Sequence, residues 1–269
     1  MLAPYNPFAT YTPKTLTVNV TASVTCSVEL AFLSTSLPPR LMGADALTYD
    51  IQSPAGGTSL VYAGGIPTTT TRIDVGPGNA GSTSVQITVP TGQIVGFGSY
   101  SDTSVTANIF DKTGSALTPL KSVSLAVTGS VARACQFSSP GNATLDFTSA
   151  ITNGMPRPSH VATVTFPDLS CTAPSLVRLS ADAMKLAQPP ASTAAFDSAI
   201  NFRAIASFSG ATATLDTTSA SDAASSVRHT AAGATLNGSV RVDVNLLAGR
   251  PLLAGAYSSL LTLSIDPNP

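Results

Sequence analysis

Charged residues are scarce in this sequence. Its 269 residues include 13 Lys and Arg and 14 Asp and Glu, which leave a formal net charge of −1. A nucleic-acid-binding protein needs a basic patch that replaces the counterions of the phosphates, so this balance argues against such a partner. Charged helix-formers such as Glu and Lys are rare, whereas Thr, Ser, Ala and Val dominate, with 20 Gly and 20 Pro. This composition is typical of β-strands and turns.

Long apolar runs are also missing. No stretch of about 18 apolar residues occurs, so we expect no transmembrane helix. The segment from Met1 to Thr15 lacks the basic start and the apolar block of a secretory signal. Either the protein is not exported, or a signal has already been removed. The cysteines and the repeat described below favour the second alternative.

Only three cysteines are present, Cys26, Cys135 and Cys171. Because the count is odd, at least one of them is free or pairs with another chain. Cys135 and Cys171 both lie at the edge of strand-like stretches, as a bridge between neighbouring strands requires. We therefore predict a disulfide between them in an oxidising compartment. The alternative is that all three are buried, inert thiols.

The common signatures of an active site are absent from the sequence. It has no Gly-x-Ser-x-Gly elbow, no phosphate-binding loop and no set of His, Cys and Asp residues at metal-ligand spacing. The two histidines, His160 and His229, lie at a strand start and in an Ala- and Ser-rich segment, and we expect each to be exposed rather than catalytic. We predict a protein that is not an enzyme and that holds no cofactor or metal ion.

The clearest pattern runs from Leu16 to Phe32, where every second residue is apolar and the residues between are mostly polar. A period of two places one face of a β-strand against a core and the other in solvent. At about 3.3 Å per residue this stretch is far longer than a usual strand, so we predict two strands that break near Thr25 and Cys26. We expect the first of them to pair with a sheet other than its own.

Two short sequence patterns each occur twice in the chain. Val20–Val24 is echoed by Val127–Val131, and each is followed within a few residues by a cysteine. Gly98-Ser-Tyr-Ser is echoed by Gly255-Ala-Tyr-Ser, and each precedes an alternating run. Two echoes in the same order predict a tandem duplication.

Short alternating strands separated by turn signals predict an all-β fold, with two tandem antiparallel β-sandwich domains of the immunoglobulin type. The expected divisions are a lead-in at 1–14, a first domain at 15–111, a linker at 112–119 and a second, longer domain at 120–269. The lead-in contains Pro and aromatic residues, and we expect it to be extended or mobile.

The segments Leu16–Val24 and Val123–Val131, each followed by a cysteine, resemble the start of subunits of chaperone–usher fimbriae. The likeness is to the archaic, spore-coat-protein-U-like pilins and to the related CFA/I-like pilins. The two Gly-x-Tyr-Ser runs resemble the last strand of these pilins, and Arg40–Tyr49 resembles their middle. The first domain departs from the family because a single cysteine leaves no pair for the family's disulfide.

This resemblance implies a pilin-type fold and an exported subunit of an extracellular fimbria at the bacterial cell surface, reached through the periplasm. It implies a periplasmic chaperone, an outer-membrane usher and neighbouring pilus subunits as partners, with a host or abiotic surface as a further contact. In such fibres a sandwich that lacks one strand is completed by an extended segment of a neighbour, through backbone hydrogen bonds and alternate side chains.

Our hypothesis is donor-strand complementation by two segments of similar pattern. Residues 15–24 would complete the second domain of the next chain, and residues 122–131 would complete the first domain of their own chain. The donor-strand candidates are Leu16, Val18, Val20, Ala22 and Val24. The candidates for the intrachain complementing strand are Val123, Leu125, Val127, Gly129 and Val131.

Two alternatives to this hypothesis predict different structures. A two-domain tip adhesin would hold its first strand in its own sheet. A secreted coat or binding protein would have two complete sandwiches and no open groove.

Overall fold

The computed structural model describes residues 1–54, 57–113, 115–139, 141–187, 195–218, 224–229 and 234–268, with the backbone alone for 224–229. The chain divides into two compact units, Met1–Ala132 and Arg133–Pro269. The described residues form β-strands and one 3-10 turn, Thr148–Ala150, which confirms the all-β class. Within these ranges, no helix has the length and apolar character needed to cross a membrane.

The strands of the first unit form two sheets. They are β1 (Lys14–Thr21), β2 (Cys26–Leu33), β3 (Arg40–Met42), β4 (Ala46–Thr48), β5 (Asp50–Gln52), β6 (Val61–Tyr62), β7 (Thr71–Val75), β8 (Ala80–Thr88), β9 (Gly98–Thr113) and β10 (Ala116–Val131). The smaller sheet has the order β1-β8-β5. In the larger sheet, β9 lies between β10 on one side and β2 and β3 on the other.

Alternation of apolar residues places the core of the first unit between its two sheets. Leu30 and Phe32 of β2 are buried with Val85 and Ile87 of β8 in one cluster. The long alternating stretch breaks where the sequence predicts, since β1 ends at Thr21 and β2 begins at Cys26. The two strands belong to different sheets, so each apolar face covers the same core from opposite sides.

Of residues 112–119, predicted as a linker, Lys112 and Thr113 instead end β9, and β10 begins at Ala116. Strands β9 and β10 are both 16 residues long and pair as one antiparallel hairpin. The second compact unit accordingly begins at Arg133 rather than at residue 120. The first half of β10 is exposed, and its second half reaches the core.

The lead-in is ordered and partly buried, unlike the extended or mobile segment that we expected. The backbone N–H groups of Leu2 and Tyr5 donate to the carbonyls of Thr128 (2.7 Å) and Ser130 (2.8 Å). Tyr5 forms a parallel bridge to Val131, and its side chain is 1% exposed. The lead-in therefore adds a short strand-like segment to the outer edge of β10.

The second unit contains a larger sheet and two smaller ones. Its strands are β11 (Cys135–Phe137), β12 (Ile151–Thr152), β13 (Met155–Pro156), β14 (Val161–Cys171), β15 (Ser175–Ala181), β16 (Met184–Leu186), β17 (Ala199–Ile200), β18 (Phe202–Phe208), β19 (Ala211–Asp216), β20 (Ala224–His229), β21 (Thr235–Leu246), β22 (Tyr257–Ser258) and β23 (Thr262–Pro267). The larger sheet has the order β11-β14-β21-β18-β19, and the smaller ones have the orders β20-β15-β23 and β17-β16-β22. Strands β12 and β13 form a short hairpin.

Candidate functional site

The same tyrosine corner appears in both units. The hydroxyl of Tyr100, at the start of β9, donates to the carbonyl of Gly96 at 2.5 Å. The hydroxyl of Tyr257, in β22, donates to the carbonyl of Leu253 at 2.9 Å. In immunoglobulin-type sandwiches a tyrosine corner of this kind marks the start of strand F. We therefore compare β9 in the first unit with β22 and β23 in the second. We call β9 and β23 the F-type strands of the two units.

In the first unit both edges of the F-type strand are occupied. Strand β10 pairs with β9 from one end to the other, with two irregularities in the register. Of the residues predicted to complete this unit, Val127 and Val131 are buried, and Leu125 and Gly129 are half-buried. Val123 lies nearer the turn and is 56% exposed. The structure thus brings the intrachain candidates to one strand, and its second half covers the core.

In the second unit the F-type strand has a described partner on one edge only. Strand β23 pairs with β15, and no described strand pairs with its other edge. Leu261, Leu263 and Ile265 pack against the core but remain half-buried, and the neighbouring Leu260 is 80% exposed. By contrast, Val105 of β9 is fully buried. We call β23 with these side chains the open edge.

The chain around β11 lies beside this open edge. The Nη1 atom of Arg133 donates to the carbonyl of Asn268 at 2.6 Å, which holds the start of the second unit against the end of β23. Phe137 of β11, with Leu145 and Phe147 that follow it, is half-buried against the core. Apolar surface is therefore left incompletely covered along this side of the unit.

The predicted disulfide between Cys135 and Cys171 is present, and it joins two residues that are directly opposite each other on β11 and β14. It fixes β11 at the edge of the larger sheet of the second unit. Cys26, at the start of β2, is half-buried and forms no disulfide.

The predicted donor strand is a strand of its own unit, which corrects the hypothesis of a projecting arm. Lys14–Thr21 pairs antiparallel with β8 along its whole length. Leu16, Val18 and Val20 pack against the core of the first unit. Ala22 donates its backbone N–H to Asn79 at 3.1 Å, and Val24 is 64% exposed in the loop that follows. The apolar face of β1 is needed inside its own unit, because it covers that unit's core.

Two kinds of titratable group have shifted pKa values: aspartates whose pKa is lowered by hydrogen bonds, and tyrosines whose pKa is raised by burial. Backbone and side-chain hydrogen bonds from Arg250 lower the pKa of Asp197, which accepts from its Nε at 2.9 Å. Burial, and then the hydrogen bond to Asp102 at 2.8 Å, raises the pKa of Tyr49 far above its ordinary value. In the described part of the chain, no three His, Cys, Asp or Glu side chains are placed to hold a metal ion.

The structure describes the side chain of one of the two histidines. His160 is half-buried, with its ring 6.2 Å from that of Phe147 in an edge-on arrangement. The side chain of His229 lies outside the described residues.

Several solved structures of fimbrial adhesins resemble this chain. A chain of the CsuC–CsuE chaperone–tip adhesion subunit complex, from archaic Csu pili of Acinetobacter baumannii, matches with a TM-score of 0.40 and 12% identity over 98% of this chain and 96% of that chain. CfaE, the adhesive subunit of CFA/I fimbria of enterotoxigenic Escherichia coli, matches with a TM-score of 0.42 and 10% identity over 99% and 91%. The CupB6 tip adhesin from Pseudomonas aeruginosa matches with a TM-score of 0.39 and 11% identity over 97% and 90%. No protein-family model and no curated protein matches the sequence.

Proposed function

We propose that this chain is a two-domain adhesive subunit of an extracellular fimbria, and that its second unit accepts a strand from a neighbouring subunit. The observation that carries the proposal is the difference between the two F-type strands. Strand β9 is paired on both edges, whereas β23 has a described partner on one edge only. An open strand edge beside half-buried apolar side chains is the kind of surface that an extended segment completes by strand addition.

The position of β1 favours a tip adhesin over a shaft subunit. A shaft subunit needs an arm that it can donate to the next subunit, but β1 covers the core of its own unit. Under this proposal the first unit is the adhesive part, and a host or abiotic surface is its contact. The second unit is held by a periplasmic chaperone during export, passes the outer-membrane usher and then receives the strand of the next pilus subunit.

The proposal is tested with a peptide that has the sequence of residues 122–131. This is the segment that occupies the equivalent edge in the first unit, so it supplies the alternating side chains that the open edge is expected to bind. We expect the peptide to bind the full chain and to slow hydrogen exchange of the β23 amides. At a free concentration 100 times the dissociation constant, it should stabilise the second unit by about 2.7 kcal/mol.

Two variants of β23 supply the matched control. Leu263→Lys places a charge on the half-buried side of the open edge and should abolish peptide binding. Thr262→Lys adds the same charge to an exposed position of the same strand and should leave binding in place. If a saturating peptide leaves the exchange of the β23 amides unchanged, or if both variants bind equally well, the open edge is not a strand acceptor.

A further inference from the structure

Asn153 and Gly154 form the turn of the hairpin between β12 and β13. Thr152 pairs with Met155, so the loop has two residues, and both have a positive φ, 53° and 73°. This is the backbone of a type I′ turn, for which Asn-Gly is a favoured pair. Both residues are exposed. Among the described residues, neither the side chain of Asn153 nor the backbone N–H of Gly154 has a hydrogen-bond partner, so both groups are free to react.

An asparagine that precedes a glycine lies beside its own nucleophile. When the Gly154 nitrogen gives its proton to hydroxide, it attacks Cγ of Asn153, because glycine has no side chain that blocks the approach. The new N–Cγ bond closes a cyclic imide, the Cγ–Nδ2 bond breaks, and the leaving nitrogen takes a proton from water and departs as ammonia. Water then opens the imide at either carbonyl. One opening gives aspartate, and the other gives isoaspartate, whose backbone runs through Cγ and contains an extra carbon.

The chain contains one further Asn-Gly pair, at Asn237 and Gly238, in a different environment. Gly238 lies inside β21 opposite Leu169, and the N–H of Asn237 donates to Oγ of Ser170 at 3.1 Å. A Cβ atom built on Gly238 would lie 2.9 Å from a ring carbon of Phe208, so this glycine is closely packed. Imide formation requires the backbone at the asparagine to rotate. At this second pair the reaction therefore has to wait until β21 opens locally.

We infer that Asn153 is a site of spontaneous deamidation, and that its isoaspartate form loosens the loop before the tyrosine corner of the second unit. The carbonyl of Gly154 accepts the backbone N–H of Leu252 at 2.8 Å. The next residue, Leu253, accepts the hydroxyl of Tyr257 in the corner. An extra backbone carbon in a two-residue turn moves the Gly154 carbonyl away from Leu252. The inference concerns the chemistry of this turn and does not depend on strand acceptance by β23.

The modification is tested by incubating the full chain at mildly alkaline pH and mapping its peptides by mass spectrometry over time. The peptide that contains Asn153 should gain the mass difference between a hydroxyl and an amino group, and isoaspartyl methyltransferase should label it. The peptide that contains Asn237 should convert at least about tenfold more slowly, because its reaction requires local opening. In the chain unfolded by urea the two peptides should convert at similar rates. Equal rates in the folded chain, or a folded chain in which Asn153 stays unmodified, would refute the site.

Asn153→Asp separates the effect of the longer backbone from that of the added charge. Hydrogen exchange of the Leu252 amide should be at least about tenfold faster in molecules with isoaspartate than in fresh protein, because the amide loses its acceptor. The variant carries the same negative charge on a normal backbone and should protect Leu252 as the fresh wild type does. Unchanged exchange in the isoaspartate form would refute the loosening of the loop. Equally fast exchange in Asn153→Asp would refute the role of the longer backbone.

Discussion

The hydroxyl of Tyr257 lies 2.9 Å from the carbonyl of Leu253, four residues before it, and Tyr100 makes the equivalent contact with Gly96. The Tyr257 hydroxyl also lies 3.1 Å from the carbonyl of Asp197. Each of the two corner hydrogen bonds joins a strand to the loop that precedes it. The two units therefore share this local device but differ in what pairs with the strand that follows it, and this difference leads to the proposed function.

The corner hydrogen bonds should stabilise each unit separately. Tyr100→Phe and Tyr257→Phe keep the aromatic ring but leave the carbonyl acceptors without their donor. Each substitution is expected to cost about 0.5–1.5 kcal/mol of the free energy of unfolding. The cost should fall on the first unit for Tyr100 and on the second for Tyr257. Urea unfolding of the two variants measures the loss of stability, and hydrogen exchange shows in which unit it occurs. A Tyr100→Phe variant that destabilises the second unit, or a Tyr257→Phe variant that destabilises the first, would contradict the division of the chain.

Loss of the disulfide should destabilise the second unit alone. Cys135 and Cys171 are 36 residues apart, so the bridge removes considerable loop entropy from the unfolded chain. We expect Cys171→Ala to lower the free energy of unfolding of the second unit by about 4 kcal/mol. Cys26→Ala, which breaks no disulfide, is the control and should leave the second unit unchanged. Equal stability of the oxidised and reduced wild-type protein would show that the bridge contributes nothing.

The fold class could be predicted from the sequence because alternation directly reports which face of a strand is buried. The Gly-x-Tyr-Ser echo identified equivalent strands because this short motif forms its own hydrogen bond within a few residues. The echo between Val20–Val24 and Val127–Val131 did not identify equivalent strands. The first of these segments runs from the end of β1 into a loop, and the second is the end of β10.

The failure of that echo has a physical cause. A period of two specifies the buried face of a strand but does not specify the strand that pairs with it. The same alternation therefore suits an arm for a neighbour and a strand of the chain's own sheet. Only the long-range pairing of β1 with β8 separates the two, and that pairing depends on residues more than fifty positions away. The open edge of β23 is likewise a property of neighbours rather than of its own sequence.

The buried lead-in should be essential for the stability of the first unit. Tyr5 is 1% exposed, and its hydroxyl donates to the carbonyl of Pro90 at 3.0 Å while accepting the backbone N–H of Gln93 at 2.9 Å. Tyr5→Ala removes a buried aromatic ring and should cost about 3–5 kcal/mol. Met1→Ala, at a position 95% exposed, is the control and should leave stability unchanged. A Tyr5→Ala variant with wild-type stability in urea would show that the lead-in is not anchored.

Alkaline pH should destabilise the first unit more than the second. Burial raises the pKa of Tyr5, Tyr11, Tyr49 and Tyr100 in the first unit, and of Tyr257 in the second. A folded-state pKa above the unfolded value of about 10 means that the folded state keeps its proton while the unfolded state loses it. The stability is therefore complete below pH 10 and falls above it, by up to about 1.4 kcal/mol per pH unit for each tyrosine.

Tyr49→Phe removes the contribution of one tyrosine to the pH dependence of stability. The variant loses the hydrogen bond to Asp102 and should be less stable at neutral pH. It also has one titrating group fewer, so its stability should fall less steeply above pH 10, by about 1.4 kcal/mol per pH unit. Urea unfolding by circular dichroism from pH 8 to alkaline pH measures this slope, and absorbance of tyrosinate reports which rings have ionised. Identical slopes for the variant and the wild type would mean that Tyr49 ionises as readily in the folded protein as in the unfolded chain.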